Sequence, residues 1–117
     1  METNLLEETL EIIQNHGKSI KDVKFVRCDW KVYNYDLKYY KEYEYYMSWE
    51  DFASMANRLY DSSYGGTEVK DNLQIVGENW WLERHEYDGS EWWEFKSLPT
   101  QPEEYKKFSP FKYKEDE

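Results

Sequence analysis

One histidine and three glutamates stand close together in the stretch WWLERHEYDGSEWWEFKS, residues 80–97. His85 beside Glu83, Glu91 and Glu94 could serve acid–base catalysis or metal binding, because imidazole and carboxylate groups suit both. The chain has no His-x-x-x-His spacing, however, and its second histidine, His16, falls in a distant predicted helix. A histidine beside glutamates on a sheet surface is far more often structural. The sequence therefore predicts no enzyme and no metal site.

A second motif suggests nucleotide chemistry and fails on its spacing. Gly17-Lys18-Ser19 resembles the end of a phosphate-binding loop, whose backbone N–H groups cradle phosphates. That motif also requires a glycine at position 12, where Ile12 stands, and a preceding strand, where a helix is predicted. We exclude nucleotide binding here and predict no cofactor.

The residues 80–97 themselves have the pattern of a β-hairpin. Asp88-Gly89 lies between two tryptophan pairs, Trp80-Trp81 and Trp92-Trp93. Asp-Gly is a strong turn signal, because glycine tolerates positive φ and aspartate hydrogen-bonds its own backbone. The chain is expected to turn at Asp88-Gly89, with aromatic residues on both strands.

Electrostatics favours one register of this hairpin over another. Like charges directly opposite each other cost about 0.2–1 kcal/mol per pair. A three-residue loop over residues 87–89, with a bulge, avoids such pairs and places His85 opposite Glu91 and Arg84 opposite Trp92, so we favour it. A two-residue loop would instead pair Glu83 with Glu94 and Glu86 with Glu91.

Composition indicates one small domain rich in aromatic side chains. The chain has 117 residues, 20% of them aromatic, so Trp, Tyr and Phe must build much of the core. Cys28 is the only cysteine, which excludes a disulfide framework and favours a small buried thiol. The acidic start METNLLEETLE is unlike a signal peptide, and no apolar run is long enough to span a bilayer. We expect a cytoplasmic protein without a membrane segment.

The net charge of −10 is unevenly placed, with −2 in residues 1–47 and −8 in residues 48–117. Direct binding to a nucleic acid is disfavoured, because that affinity comes from Lys and Arg displacing counterions. Attraction to a basic partner surface is favoured. The alternative is that the acidity only keeps an aromatic-rich protein soluble.

Helix and strand signals alternate along the chain. Residues 4–15 and 49–60 have helical apolar periodicity, with Thr3 or Asn4 as a cap for the first helix and a capping box at Ser48 for the second. Residues 22–28 and 67–76 have strand patterns, with Val69, Leu73 and Ile75 on one face of the second. The tyrosine-rich tract 30–47 favours strand over helix by composition, and a helical stripe stays the alternative.

These elements predict an α+β fold, with two helices packed on a mostly antiparallel sheet. Residues 72–76, 80–86 and 91–97 form a C-terminal three-stranded meander. Residues 1–102 make the single domain, and residues 103–117 make a mixed-charge tail that is frayed or partly docked through Phe108, Phe111 and Tyr113. An exposed strand edge could pair with a second copy, so a homo-oligomer is possible.

The segment from residue 48 to residue 102 resembles a family of small phage and prophage proteins of Gram-positive bacteria. The family carries a tract of the form IVG-x-x-WWLER-x-EYDGSEWWEFK, matched here by residues 75–77, 80–84 and 86–96. The tyrosine-rich residues 33–47 look like a local elaboration. The resemblance implies a source and a fold unit, not a mechanism. Small phage proteins are often regulators or inhibitors of host machinery, including anti-restriction and anti-CRISPR proteins, which favours an interaction protein by association.

The hypothesis that combines these signals is a phage-type protein that binds and inhibits a basic, nucleic-acid-binding host protein. Tryptophan and tyrosine are the usual binding hot spots once desolvated. The alternatives are a structural or regulatory phage protein and, on the strength of the tryptophans alone, a sugar-binding module. The partner-binding residues predicted for charge are Glu83, Glu86, Asp88, Glu91 and Glu94, and those predicted as apolar anchors are Trp81, Trp93, Tyr43 and Tyr45.

Overall fold

The computed structural model describes residues 1–63 and 65–113, which form two α-helices and seven strands. No helix in this part of the chain is long and apolar enough to cross a membrane. In chain order the elements are β1 (Glu2–Asn4), α1 (Leu5–Asn15), a short 3-10 turn (Ile20–Asp22), β2 (Phe25–Asn34), β3 (Tyr39–Met47), α2 (Trp49–Ala56), β4 (Leu59–Asp61), β5 (Gln74–Val76), β6 (Trp80–Tyr87) and β7 (Ser90–Ser97).

The strands form two antiparallel sheets. The larger has five strands in the order β3-β2-β5-β6-β7, and the smaller pairs β1 with β4. The predicted α+β class and the C-terminal meander of β5, β6 and β7 are confirmed.

Side-chain caps start both helices. The Asn4 side chain accepts a hydrogen bond from the Glu7 N–H at 3.0 Å, and the Ser48 hydroxyl accepts one from the Asp51 N–H at 3.1 Å. Each cap satisfies a backbone donor that has no partner within its helix. The second helix ends at Ala56, earlier than the predicted residue 60, because β4 pairs with β1 directly afterwards. Sequence periodicity could not show this contact between distant segments.

The tyrosine-rich tract is extended, as its composition predicted, and it folds into a β-hairpin. β2 and β3 pair from Val26 opposite Met47 to Asn34 opposite Tyr39, and the chain turns between them. The predicted strand 22–28 is displaced and longer, since it runs over Phe25–Asn34. Of the predicted extended segment 67–76, only Gln74–Val76 is a strand.

The core lies between the helices and one face of the large sheet. Its fully buried members come from α1, β2, β5 and β6, namely Ile13, Val26, Ile75 and Leu82. The indole Nε1 of Trp93 donates a hydrogen bond of 2.8 Å to the hydroxyl of Thr9 on α1, which satisfies both buried groups. Cys28 is 7% exposed, so the buried thiol is confirmed, and burial raises its pKa.

The segment after β7 does not pack against this core. Residues 98–113 contain no helix or strand, and Phe108, Phe111 and Tyr113 are 81%, 72% and 82% exposed. The predicted docking of these three side chains is therefore wrong. The predicted fraying of the last residues concerns positions 114–117, which lie outside the described residues. The radius of gyration is 18.8 Å, whereas a compact chain of this length has about 13 Å.

Candidate protein-binding surface

The β6–β7 hairpin has the two-residue-loop register, which electrostatics disfavoured. Glu83 stands opposite Glu94 and Glu86 opposite Glu91, so the loop has two residues, Asp88 and Gly89. Both loop residues have positive φ, at +49° and +85°. This is the two-residue turn whose twist matches that of the flanking strands. The predicted three-residue loop is wrong.

The opposed glutamates are tolerated because at least one glutamate of each pair binds other groups. Glu91 is 5% exposed and accepts hydrogen bonds from Arg84 at 3.0 Å and from the backbone N–H groups of Glu68 and Val69 at 2.7 and 3.2 Å. Glu86 opposite it is exposed. A buried carboxylate with an ion pair and two amide donors gains far more than the cross-strand repulsion costs.

Glu83 and Glu94 are also partnered, on the other face of the hairpin. Glu83 accepts from the Trp81 indole at 2.9 Å and contacts His85 at 3.2 Å. Glu94 accepts from the Trp92 indole at 3.1 Å and pairs with Lys96 at 3.2 Å. The hydrogen bond from Trp92 lowers the pKa of Glu94 most, and the hydrogen bond from Lys96 lowers it further. Both carboxylates are therefore engaged by neighbouring side chains of the hairpin.

Arg84 ties the hairpin to the helical layer. Its guanidinium donates to Glu8 on α1 at 3.1 Å, to the hydroxyl of Tyr60 at 3.0 Å and to Glu91 at 3.0 Å. It lies 4.8 Å from the ring centre of Trp93, not over Trp92 as the predicted three-residue loop would place it. Within the described chain, only its Nε lacks a partner among buried side-chain polar atoms. This network joins the hairpin to α1 and β4.

Tyr60 gives the network a measurable pH dependence. Burial, opposed by the Arg84 hydrogen bond, raises the pKa of Tyr60 to about 12 from its ordinary value of 10.0. The folded state thus holds this proton more tightly than the unfolded state, so the contribution to stability is full below pH 10 and is lost as pH rises to 12. We expect the free energy of unfolding to fall more steeply in wild type than in Tyr60→Phe over this window, by up to about 1.4 kcal/mol per pH unit. Urea titrations at several pH values measure both slopes, and equal slopes would show that Tyr60 titrates normally.

The predicted acidic and aromatic residues of the hairpin do not form one open surface. Glu91 and Trp93 are each 5% exposed, so the partner-contact role predicted for them is corrected to a structural one. Trp81 is half-buried, as are Glu83 and Glu94, while Glu86 and Asp88 are exposed at the turn. Within residues 1–63 and 65–113, no cluster of three or more His, Cys, Asp or Glu side chains could hold a metal ion.

The exposed aromatic surface lies instead on the far part of the β2–β3 hairpin. β2 pairs with β5 only over Phe25–Arg27, and beyond Arg27 it has β3 as its only strand partner among the described residues. We call residues 28–45 the arm. A two-stranded ribbon is only marginally stable in water, and a large exposed apolar patch typically marks an interaction site. The exposed apolar side chains of the arm are Trp30, Val32, Tyr33, Tyr35, Leu37, Tyr39, Tyr40, Tyr43 and Tyr45.

The strand register separates the arm's charges by face. Tyr43 and Tyr45 stand opposite Trp30 and Cys28 and share the face of the buried Val26, which we call the helix-facing side. Their rings are 6.1 Å apart, with 39% and 49% of each residue exposed. The arm's carboxylates that belong to its strands, Asp29, Glu42 and Glu44, alternate with these residues and lie on the opposite, outer side.

A groove of about 380 Å³ opens where the helix-facing side meets α2 and the loop before β5. Lys70 and Trp30 both line this groove, and the Nζ of Lys70 lies 3.2 Å from the centre of the Trp30 ring. Sequence reasoning missed this groove because it joins three separate segments. Its lining residues are Val26, Arg27, Cys28, Trp30, Tyr45, Tyr46, Met47, Met55, Lys70 and Leu73.

Fold and surface together define a small α+β domain that carries an aromatic two-stranded arm. Comparison of the chain with protein-family models, with curated proteins and with solved structures finds no match.

Proposed function

We propose that this chain is a protein-binding module whose arm is the contact surface. The observation that carries the proposal is the run of exposed aromatic side chains on both faces of a ribbon that leaves the domain body, including Tyr43 and Tyr45. Tyrosine offers a large, rigid contact area with a polar tip, and it is enriched among binding hot spots. The proposal moves the contact from the acidic hairpin to the arm.

The more specific proposal is that the module inhibits a host protein, of the anti-CRISPR or anti-restriction type. The resemblance of residues 75–96 to a phage protein family supports it, as does the net charge of −10, which attracts basic nucleic-acid-binding surfaces. Glu86 and Asp88, exposed at the hairpin turn, remain the hairpin acids that such a surface can reach. They would steer the partner while the arm supplies the apolar contact.

A second candidate is a structural or regulatory phage protein whose acidity serves solubility. It is favoured by the pairing of carboxylates with cations on the outer side of the sheet. Arg27 pairs there with Asp29, and Lys96 with Glu94 at 3.2 Å. Such interleaving gives no continuous acidic stripe for nucleic-acid mimicry.

Capture of a partner from a Gram-positive host lysate tests the arm directly. Replacing both Tyr43 and Tyr45 with threonine keeps strand propensity and removes the two rings. We expect at least a tenfold loss of the captured partner, because two hot-spot side chains cost about 2 kcal/mol or more. Quantitative mass spectrometry of the bound fraction at low and high salt measures it.

The matched control replaces two tyrosines outside the arm, Tyr105 and Tyr113, which are 77% and 82% exposed. This control should capture as much partner as wild type. A partner held equally by the arm variant would contradict the proposed contact surface. Glu86→Lys separates steering from contact, since it should slow association and reduce the salt dependence while leaving dissociation unchanged.

A further inference from the structure

The groove beside the arm has a charge opposite to that of the chain as a whole. The net charge is −10, yet the described lining of the groove includes Lys70 and contains no carboxylate. Arg27 also lines the groove, but its guanidinium pairs with Asp29 on the outer side. Lys41 adds a second cation on the helix-facing side of the arm, opposite Val32. The carboxylates of the adjacent strands lie across the sheet on the outer side.

Aromatic rings hold two of these cations in place. Lys70 Nζ is 3.2 Å from the ring centre of Trp30, and Lys41 Nζ is 5.3 Å from that of Tyr43. Neither lysine forms an ion pair with a carboxylate in the described part of the chain. A cation over a ring keeps its free donors for an incoming anion, so both lysines can pair with a carboxylate.

The groove floor is apolar and adaptable. Met47, Met55, Leu73 and Cys28 are among its apolar lining residues. Methionine fits irregular partners because its side chain is flexible and polarizable. A volume of about 380 Å³ accepts one or two large side chains and cannot enclose a folded domain.

We infer that this groove binds a short apolar segment of a partner polypeptide that carries Asp or Glu beside its apolar side chain. The inference rests on the proposed function, since it takes the arm as the contact surface. A nucleic acid fits less well, because it brings a phosphate at every nucleotide toward a chain of charge −10. Asp29, Glu42 and Glu44 lie on the other face of the same two strands and add to this repulsion. One or two carboxylates beside an apolar anchor meet the lysines with fewer negative charges than a phosphate at every nucleotide.

Selection from a random 12-residue peptide library against the immobilised protein tests this inference. We expect enrichment of peptides with a large apolar residue flanked by Asp or Glu. Against the enriched peptides, Lys70→Glu should weaken binding at least tenfold. Met55→Glu, at a groove-lining residue on α2 that is 61% exposed, should do the same. Lys106→Glu makes the same charge change in the exposed tail and should leave the affinity within twofold of wild type.

Several outcomes would overturn the inference. The first is enrichment of basic peptides. The second is selection of the same peptides by the wild type and by the Lys70→Glu variant. The third is equal peptide affinity in the wild type and in both groove variants. Saturable binding of a (dT)12 oligonucleotide that Lys70→Glu abolishes would also overturn it and assign the groove to nucleic acid. If the peptides no longer bind the variant with Tyr43 and Tyr45 replaced but still bind the Lys70→Glu variant, the arm binds them and the groove does not. Lysate capture independent of the arm would reject the proposed function itself. Circular dichroism confirms that each variant is folded.

Discussion

Replacing Gly77 with alanine is expected to destabilise the protein by about 3 kcal/mol, the upper range for overpacking in a core. A Cβ at this position would lie 2.1 Å from Nε1 and 2.2 Å from Cε2 of Trp80. Trp80 is 4% exposed, and its ring packs against Phe95. Urea denaturation followed by circular dichroism measures the loss as a lower midpoint.

The effect should spread beyond the turn between β5 and β6. The Gly77 N–H donates to the Trp80 carbonyl at 2.8 Å, which fixes the turn under the indole. Trp80 stacks on Phe95 at 5.6 Å, and Phe95 stacks on His16 at 4.2 Å. A displaced indole would therefore disturb the contact between the sheet and the end of α1.

Gly66→Ala is the matched control for this substitution. A Cβ on Gly66 meets nothing within 4 Å, and its φ is not in the left-handed region. The control should change the free energy of unfolding by no more than about 0.5 kcal/mol. Equal midpoints for the two alanine variants would refute the close packing of Trp80 on Gly77.

Glu91→Ala is the second substitution with a large expected effect, a loss of about 3–5 kcal/mol. It removes the buried partner of Arg84 and the acceptor of two backbone N–H groups, at Glu68 and Val69. Glu8 and Tyr60 would then be the remaining partners of the Arg84 charge. Thermal and urea unfolding of the variant should both show the loss.

The residue directly opposite provides the control. Glu86 is exposed and faces Glu91 across the hairpin, so Glu86→Ala removes only a like-charge neighbour. We expect it to be neutral or to stabilise by a few tenths of a kcal/mol. Glu91→Gln, which keeps one acceptor oxygen and loses the charge, should be intermediate. Similar losses for the Glu86 and Glu91 alanine variants would argue against a buried ion pair.

Local sequence signals predicted the elements well. The capping residues Asn4 and Ser48 correctly indicate where both helices begin, and the composition of residues 30–47 correctly predicts strands. These signals act within a few residues, so one chain suffices to see them. The end of α2 and the pairing of β1 with β4 depend on contacts between distant segments, which periodicity does not record.

The hairpin register shows why the predicted site was only partly placed. The repulsion between cross-strand like charges, from which the register was predicted, contributes only a few tenths of a kcal/mol. The partners that decide the matter for Glu91 are Arg84 and the backbone of residues 68–69, and the latter lie over twenty positions away. Tyr43 and Tyr45 are predicted as anchors because tyrosine is a usual hot-spot residue, and the structure leaves them exposed. The groove could not be foreseen, because Met55 and Lys70 reach it from other elements.

The alternation of charges along β3 also determines what the arm does with a second copy of itself. β3 is an edge strand, and two edges that pair antiparallel across a twofold axis bring the same face of each copy together. In such a pair, the residue on the twofold axis faces its own copy. With Lys41, Glu42 or Glu44 on the axis, that residue meets a like charge. With Tyr43 on the axis, Glu42 of each copy faces Glu44 of the other. The three registers with the longest overlap, centred on Glu42, Tyr43 and Glu44, thus oppose like charges, which destabilises them. The charge pattern of this long aromatic edge therefore disfavours the pairing with a second copy that would make it an aggregation hazard.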